Sequence, residues 1–133
     1  MQLDVVIDTN VFVSAFYSSN GTPSIILSLL YAKKIRLCFN EHLLAEYEDV
    51  LYREKFGFNK YDLDIFFNFI ENNGKYVFAF PQDILFIDES DKKFYDVLRS
   101  DENISFLITG NKKHFPKENN IVSPSEFLEY LVI

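Results

Sequence analysis

The sequence predicts an α/β protein, a three-layer α/β/α sandwich around a central, mostly parallel sheet. Three observations carry that expectation. Short β-branched runs alternate with amphipathic stretches along the chain, the β-α-β-α order that builds a parallel sheet covered on both faces. The first apolar run, Leu3 to Ile7 with one interruption at Asp4, ends abruptly at Asp8-Thr9-Asn10. No internal repeat, low-complexity tract or Pro/Gly-rich linker divides the chain, so residues 1–133 read as a single domain.

The elements follow in order. Val5, Val6 and Ile7 are β-branched and suit a buried parallel strand at 3–7. A short helix near 10–17 comes next. Thr22-Pro23 then offers a cap followed by proline at the first helical position, ahead of a wide apolar face of Ile25, Ile26, Leu29 and Leu30. Ile35 to Phe39 reads as a second strand. Asn40 is placed to cap a helix from Glu41 to about Glu54, with Leu43, Leu44, Tyr47, Val50 and Leu51 on one side. Asn59 is placed to cap the next helix, whose Leu63, Phe66, Phe67 and Ile70 follow the helical period and read as core or subunit interface; Asn73-Gly74 ends it. Lys75 to Phe80 reads as a third strand closed by Pro81, and Ser90 as the cap of a helix across Asp91 to Ser100. Phe106 to Ile108 is a fourth strand, and Ile121-Val122 a short fifth. Ser123-Pro124-Ser125-Glu126 has capping-box spacing before a closing helix.

Composition narrows the class. At 133 residues, 48% hydrophobic with 15 Phe and 8 Tyr, the chain has the apolar surface for one full core, which excludes disorder. The lone Cys38 excludes an internal disulfide and fits a reducing compartment; within Ile35 to Phe39 it reads as a small core residue. No apolar segment reaches membrane-spanning length, and the expectation is a soluble, cytoplasmic protein. The formal charge of −7, from 13 Lys+Arg against 20 Asp+Glu, argues against a broad electrostatic nucleic-acid footprint. It leaves room for a polyanion held through bound cations, because a divalent metal inverts the local field.

Three places set acids or amides at strand or helix ends: Asp8-Thr9-Asn10, Asp88-Glu89-Ser90-Asp91 and Thr109-Gly110-Asn111. In open α/β sheets ligands bind just beyond the carboxyl ends of the strands. If the first and fourth strands are neighbours, the first and third of these places meet at one sheet edge. Two like charges ~4 Å apart cost about 4 kcal/mol at an effective dielectric near 20, so converging carboxylates must protonate or take a cation. Hard oxygen ligands suit Mg²⁺ or Mn²⁺. Each piece also has a plainer reading. Asp8 can be a turn residue, and Asp91 a first-turn acid favoured by the helix dipole. Glu46 and Glu48 lie equally far from the centre of their helix's apolar stripe, and the period does not choose between them. His42 and His114 read as exposed polar residues, since neither has a partner at chelating spacing.

Four segments resemble the motifs of one family in the family's order. Val6 to Ala15 (VIDTNVFVSA) is similar to the opening motif of PIN-domain ribonucleases. Leu43 to Leu51 (LLAEYEDVL) resembles the second, with the glutamate on Glu46. Asp88 to Val97 (DESDKKFYDV) resembles the third, with the key acid on Asp91. Leu107 to Pro116 (LITGNKKHFP) resembles the fourth, in the variant of the toxin-component branch. The resemblance implies a PIN-like fold and an endoribonuclease dependent on one or two Mg²⁺ or Mn²⁺ ions. It places Asp8, Glu46 and Asp91 as catalytic and metal-holding acids, with Asn111 as a further ligand where many members carry aspartate. Thr9, Asn10 and Thr109 would orient the carboxylates, and Lys112 and Lys113 would contact flanking phosphates. Asp96, in the third motif, is a candidate supplementary acid, although a helix puts positions 91 and 96 on different faces.

The partners expected on this basis are an RNA substrate, a cognate antitoxin protein and a second copy of the chain, with exposed Phe and Tyr of the 41–73 helices as the candidate surface. The alternative is a degenerate, non-catalytic PIN module that binds RNA or a protein, given the charge lost at Asn111. A phospho-accepting receiver fits poorly, because its acceptor ends a central strand preceded by a strand bearing further acids. Nucleotide-cofactor chemistry is excluded by the absence of a Gly-rich phosphate loop among only four glycines.

Overall fold

A computed structural model describes residues 2–132. Five parallel strands form one sheet in the order β3-β2-β1-β4-β5: β1 Leu3–Ile7, β2 Ile35–Phe39, β3 Lys75–Tyr76, β4 Ile104–Ile108 and β5 Ile121–Val122. Six helices connect and cover them: α1 Thr9–Tyr17, α2 Thr22–Tyr31, α3 Glu41–Leu51, α4 Lys60–Asn73, α5 Lys92–Ser100 and α6 Pro124–Val132. Successive strand residues point to opposite faces, yet Val5, Val6 and Ile7 are all fully buried, so β1 is covered on both sides. This is the three-layer sandwich expected from the alternation of elements.

The sequence-local signals hold at most helix ends. The Asn40 side chain accepts from Leu43 N–H at 3.0 Å, and that of Asn59 from Asp62 N–H at 3.1 Å. Ser123 and Glu126 form the reciprocal capping box: Ser123 Oγ accepts from Glu126 N–H at 3.1 Å, and Glu126 Oε1 accepts from Ser123 N–H at 2.8 Å. Leu63, Phe66, Phe67 and Ile70 are buried, which makes the α4 stripe core.

Four expectations are corrected. The second helix is capped by Gly21, one residue before Thr22, because the Gly21 carbonyl accepts both the N–H and the hydroxyl of Ser24. The third helix stops at Leu51, and a 3-10 turn at Glu54–Phe56 follows, closed by Gly57 in the left-handed region at φ 63°. Strand β3 ends at Tyr76, well short of Phe80. Its neighbour β2 gives way to α3 after Phe39, whose carbonyl takes a last bond from Val77 N–H at 2.8 Å, leaving the segment beyond without a strand to pair with. Ser90 does not cap α5: the Asp88 carboxylate accepts from both the N–H and the hydroxyl of Ser90 and caps a 3-10 turn at Glu89–Asp91.

Phe78, Phe80, Leu85 and Ile87, in the segment after β3, are strongly exposed, as are Tyr17 and Tyr61. Of the 41–73 helices Tyr52, Tyr61 and Ile65 reach the surface, whereas the α4 stripe is inside. Among the described residues, no helix is long and apolar enough to cross a membrane.

Candidate active site

Strand numbers ascend from β1 through β2 to β3 on one side and continue with β4 and β5 on the other. The order therefore reverses between β1 and β4, a switch point at whose carboxyl ends open α/β sheets place their ligand crevice. Asp8 follows β1 there, its N–H held by the Ile108 carbonyl of β4 at 2.9 Å. Its carboxylate is buried and accepts from Thr109 Oγ1 at 2.7 Å. Thr109 is itself fully buried at the end of β4, and Asn10 Oδ1 accepts from Gly110 N–H at 3.2 Å, a second tie between the two strand ends.

Glu46 arrives from α3. The neighbouring Tyr47 is fully buried and donates its hydroxyl to the Ile7 carbonyl at 2.5 Å, pinning the helix to β1 one residue before Asp8. That bond distinguishes the two glutamates that the helical period leaves equivalent: Glu46 is half-buried and Glu48 exposed. Glu46 Oε2 accepts from the Thr9 hydroxyl, and Oε1 pairs with Lys93 Nζ at 2.5 Å. Glu46 is thus tied both to the residue after Asp8 and to the residue two beyond Asp91.

Asp91 sits at the start of α5, which packs on β1 and β4. Its Oδ2 accepts from His114 Nδ1 at 3.0 Å. The three acids lie within electrostatic reach of one another. Burial first, and then the charges of Asp91 and Glu46, push the Asp8 carboxyl from 3.8 up to about 6 against the lowering effect of Thr109. The Asp91 carboxyl is also raised, by burial first and by Asp88 and Glu46, with His114 acting in the opposite direction. Tyr47, buried beside Asp8 and Glu46, has its hydroxyl held well above the usual phenol range.

Among the described residues, Asp88, Asp91 and His114 bring three ligand-type atoms together, one from each lying within 4.8 Å of the others. His114 is not the exposed polar residue its sequence setting indicates. It is half-buried and engaged with Asp91 and Asn111, because the fold brings Asp91 to it across 23 residues. Lys93 also escapes the sequence reading. Asn111 precedes and His114 ends a 3-10 turn at Lys112–His114, where positions i and i+3 eclipse and the two side chains meet.

The remaining candidates are placed as follows. Asn111 directs its amide nitrogen to the His114 ring, which leaves Oδ1 as its free ligand-type atom. Lys112 Nζ is held by Glu126 on α6 at 2.9 Å, and Lys113 is exposed. Asp96 pairs with Lys92 and accepts from Gln82 N–H, away from the three acids. His42 is exposed, and Cys38 is buried with its thiol pushed up to about 12 by desolvation, a core residue as expected.

The donor set is oxygen-rich and acidic, with one carboxyl raised first by burial and then by the neighbouring acids, and it fits a hard divalent cation. A family profile described as PIN domain matches residues 4–113. An uncharacterized protein of Methanocaldococcus jannaschii is 31% identical over 147 aligned positions, which cover 97% of this chain and 92% of that one. No solved structure matches significantly. With four motifs in order, this strand topology and a profile match spanning most of its length, the chain belongs to the PIN domain family, whose members are generally nucleases.

Proposed function

We propose that the protein is a Mg²⁺- or Mn²⁺-dependent endoribonuclease that hydrolyses RNA phosphodiesters, and that it is the toxin of a toxin–antitoxin pair. The observation that carries the catalytic reading is the Asp8 carboxyl, buried at the β1/β4 crevice and raised to about 6 by burial and by Asp91 and Glu46. At neutral pH it is ionised in an unfavourable field, which a doubly charged cation reverses. Asp8, Glu46 and Asp91 would hold one or two such ions, with Asn111 Oδ1 as a further oxygen. A bound ion supplies Lewis-acid polarisation of the phosphoryl oxygens and lowers the pKa of a coordinated water.

The chain's own residues set the stage for in-line hydrolysis to a 5′-phosphate and a 3′-hydroxyl. Thr109 and Thr9 hold the Asp8 and Glu46 carboxylates by donating hydroxyls to them. Lys93 brings a positive charge to the same crevice, and exposed Lys113 is available to a flanking phosphate. Lys112 would reach a phosphate only by leaving Glu126.

The test is Mn²⁺-dependent cleavage of a structured RNA pool, with Asp8→Asn as control. Cleavage by the wild type and none by the variant is the expected result; cleavage at the wild-type rate by D8N refutes the assignment. The toxin role draws on the fourth motif's resemblance to the toxin-component branch. Expression in a bacterial host should arrest growth, D8N should not, and co-expression of the neighbouring reading frame should restore growth. The exposed Phe78, Phe80, Leu85 and Ile87 support a protein partner, an antitoxin or a second copy of the chain. A homodimer would elute at twice the chain mass in gel filtration.

One observation favours a second reading. Glu46 already pairs with Lys93, and Asp91 with His114, so two of the three acids have partners without a metal. A degenerate module that binds RNA or protein without cutting would give no saturable Mn²⁺ stabilisation in a thermal-shift titration.

A further inference from the structure

We infer that Asn111 and His114 are positioning residues that hold the Asp91 carboxylate in the crevice, acting through one hydrogen-bonded chain that also reaches Asp8. Asp91 occupies the N-cap position of α5 with αR backbone, and its side chain makes no capping bond. A carboxylate at a helix start ordinarily accepts from the N–H groups of its own first turn. Here it turns outward, and Oδ2 accepts from His114 Nδ1 at 3.0 Å. With Nδ1–H given to Asp91, Nε2 is the ring's one acceptor, and Asn111 Nδ2 rests against the ring edge, 3.1 Å from Nδ1 and 3.2 Å from Nε2. Asn111 is fixed in turn: its backbone N–H donates to Thr109 Oγ1 at 3.0 Å, and that same hydroxyl donates to Asp8 Oδ2 at 2.7 Å. The two acids are therefore connected through Thr109, Asn111 and His114.

This gives position 111 a different meaning from that of a lost acid. An aspartate there has no N–H to offer Nε2, whereas the asparagine amide orients the ring that orients Asp91. The inference rests on the nuclease reading, since a held Asp91 matters only where Asp91 helps to bind a cation. Partners behind a metal-binding side chain are worth about 10–100-fold in affinity.

Calorimetric Mn²⁺ titration of the full chain tests it, with wild type, His114→Ala, His114→Asn, Asn111→Ala and the N111A/H114A double variant. H114A should lose on the order of tenfold or more in Mn²⁺ affinity. H114N puts an N–H near the place of Nδ1 and should restore most of the loss. The double variant should be no worse than the worse single one, because both break the same chain. In single-turnover RNA cleavage kcat should fall with KM kept. His114 is half-exposed, and the H114A thermal melt should match the wild type. Wild-type Mn²⁺ affinity in H114A overturns the inference, as do additive losses in the double variant, which would leave Asn111 acting through Oδ1 alone and not through His114. A wild type without saturable Mn²⁺ binding brings down the nuclease reading and this inference together. Binding lost in D8N but kept in H114A brings down this inference alone.

Discussion

Asp8→Asn should make the metal-free protein more stable at neutral pH and give no such gain in acid. The Asp8 carboxyl is raised from 3.8 to about 6, chiefly by burial. The folded chain therefore holds that proton more tightly than the unfolded chain. Stability from this group is full below pH ~4, falls as pH rises towards about 6, and stays low above it. The interval corresponds to about 3 kcal/mol at about 1.36 kcal/mol for each pH unit. Asparagine removes that cost and keeps an oxygen for the Thr109 hydroxyl, although a neutral acceptor is weaker than a carboxylate by roughly 1 kcal/mol. The net expectation is a gain of about 2 kcal/mol at pH 7, shrinking to nothing or slightly negative near pH 4. Urea unfolding in EDTA, followed by circular dichroism at several pH values, measures it. The difference between the two proteins is the informative quantity, because Asp101, Glu126 and other carboxyls held low by partners bend both profiles in the opposite direction. Mn²⁺ should reverse the ranking, since binding at a hundred times Kd adds about 2.7 kcal/mol to the wild type alone. Parallel pH profiles, with D8N no more stable at pH 7, would refute the claim that this carboxylate is ionised in a low-dielectric crevice.

Tyr47→Phe removes the buried hydroxyl that donates to the Ile7 carbonyl at 2.5 Å and should cost about 1–3 kcal/mol in urea unfolding, with cleavage impaired because Glu46 loses its anchor. Glu46→Gln, by contrast, should lower Mn²⁺ affinity without loss of stability, read by calorimetry and melting side by side. At Gly74 an added Cβ would lie 2.7 Å from the Ile70 carbonyl oxygen and 2.7 Å from Phe39 Cε1, so Gly74→Ala should destabilise by about 1–3 kcal/mol, seen as a lower urea midpoint. Ser123→Ala breaks the capping box at α6 and should cost about 1 kcal/mol in the same assay.

What could be read from the chain, and what could not, divides along sequence separation. Asn40, Asn59 and the Ser123/Glu126 box were legible because each bond closes within three residues. Asp8 was legible because a β-branched run ending in an acid is itself the mark of a strand end. The third strand read too long because its length is set by β2, whose last partner carbonyl belongs to Phe39. Glu46 and Glu48 were indistinguishable by period because the deciding contact is from Tyr47 to Ile7, 40 residues away. His114 was misplaced for the same reason, its carboxylate partner lying 23 residues back across β4. Periodicity reports which face a residue takes on its own element and nothing about what stands opposite.

The same division explains how the site can carry unfavourable charge and still form. Each acid of the crevice has a bond there, Asp8 to Thr109, Glu46 to Lys93 and Asp91 to His114, but the segments that deliver them are held by neighbouring core residues. Asp8 is delivered by β1, buried on both faces; Glu46 by the Tyr47 hydroxyl; Asp91 by α5, whose Phe94 is buried and stands 6.2 Å, ring to ring, from Tyr47. Apolar anchors adjacent to each acid supply the burial, on the order of 1.5–3 kcal/mol for each large side chain, and this exceeds the repulsion among partly screened carboxylates. Stability and chemistry therefore reside in neighbouring residues of the same segments, one turned to the core and one to the crevice. Changing Asp8 should alter cation binding while relieving strain, whereas changing the core residues beside the acids should damage both, and that asymmetry separates a site built for an ion from acids that merely happen to meet at a sheet edge.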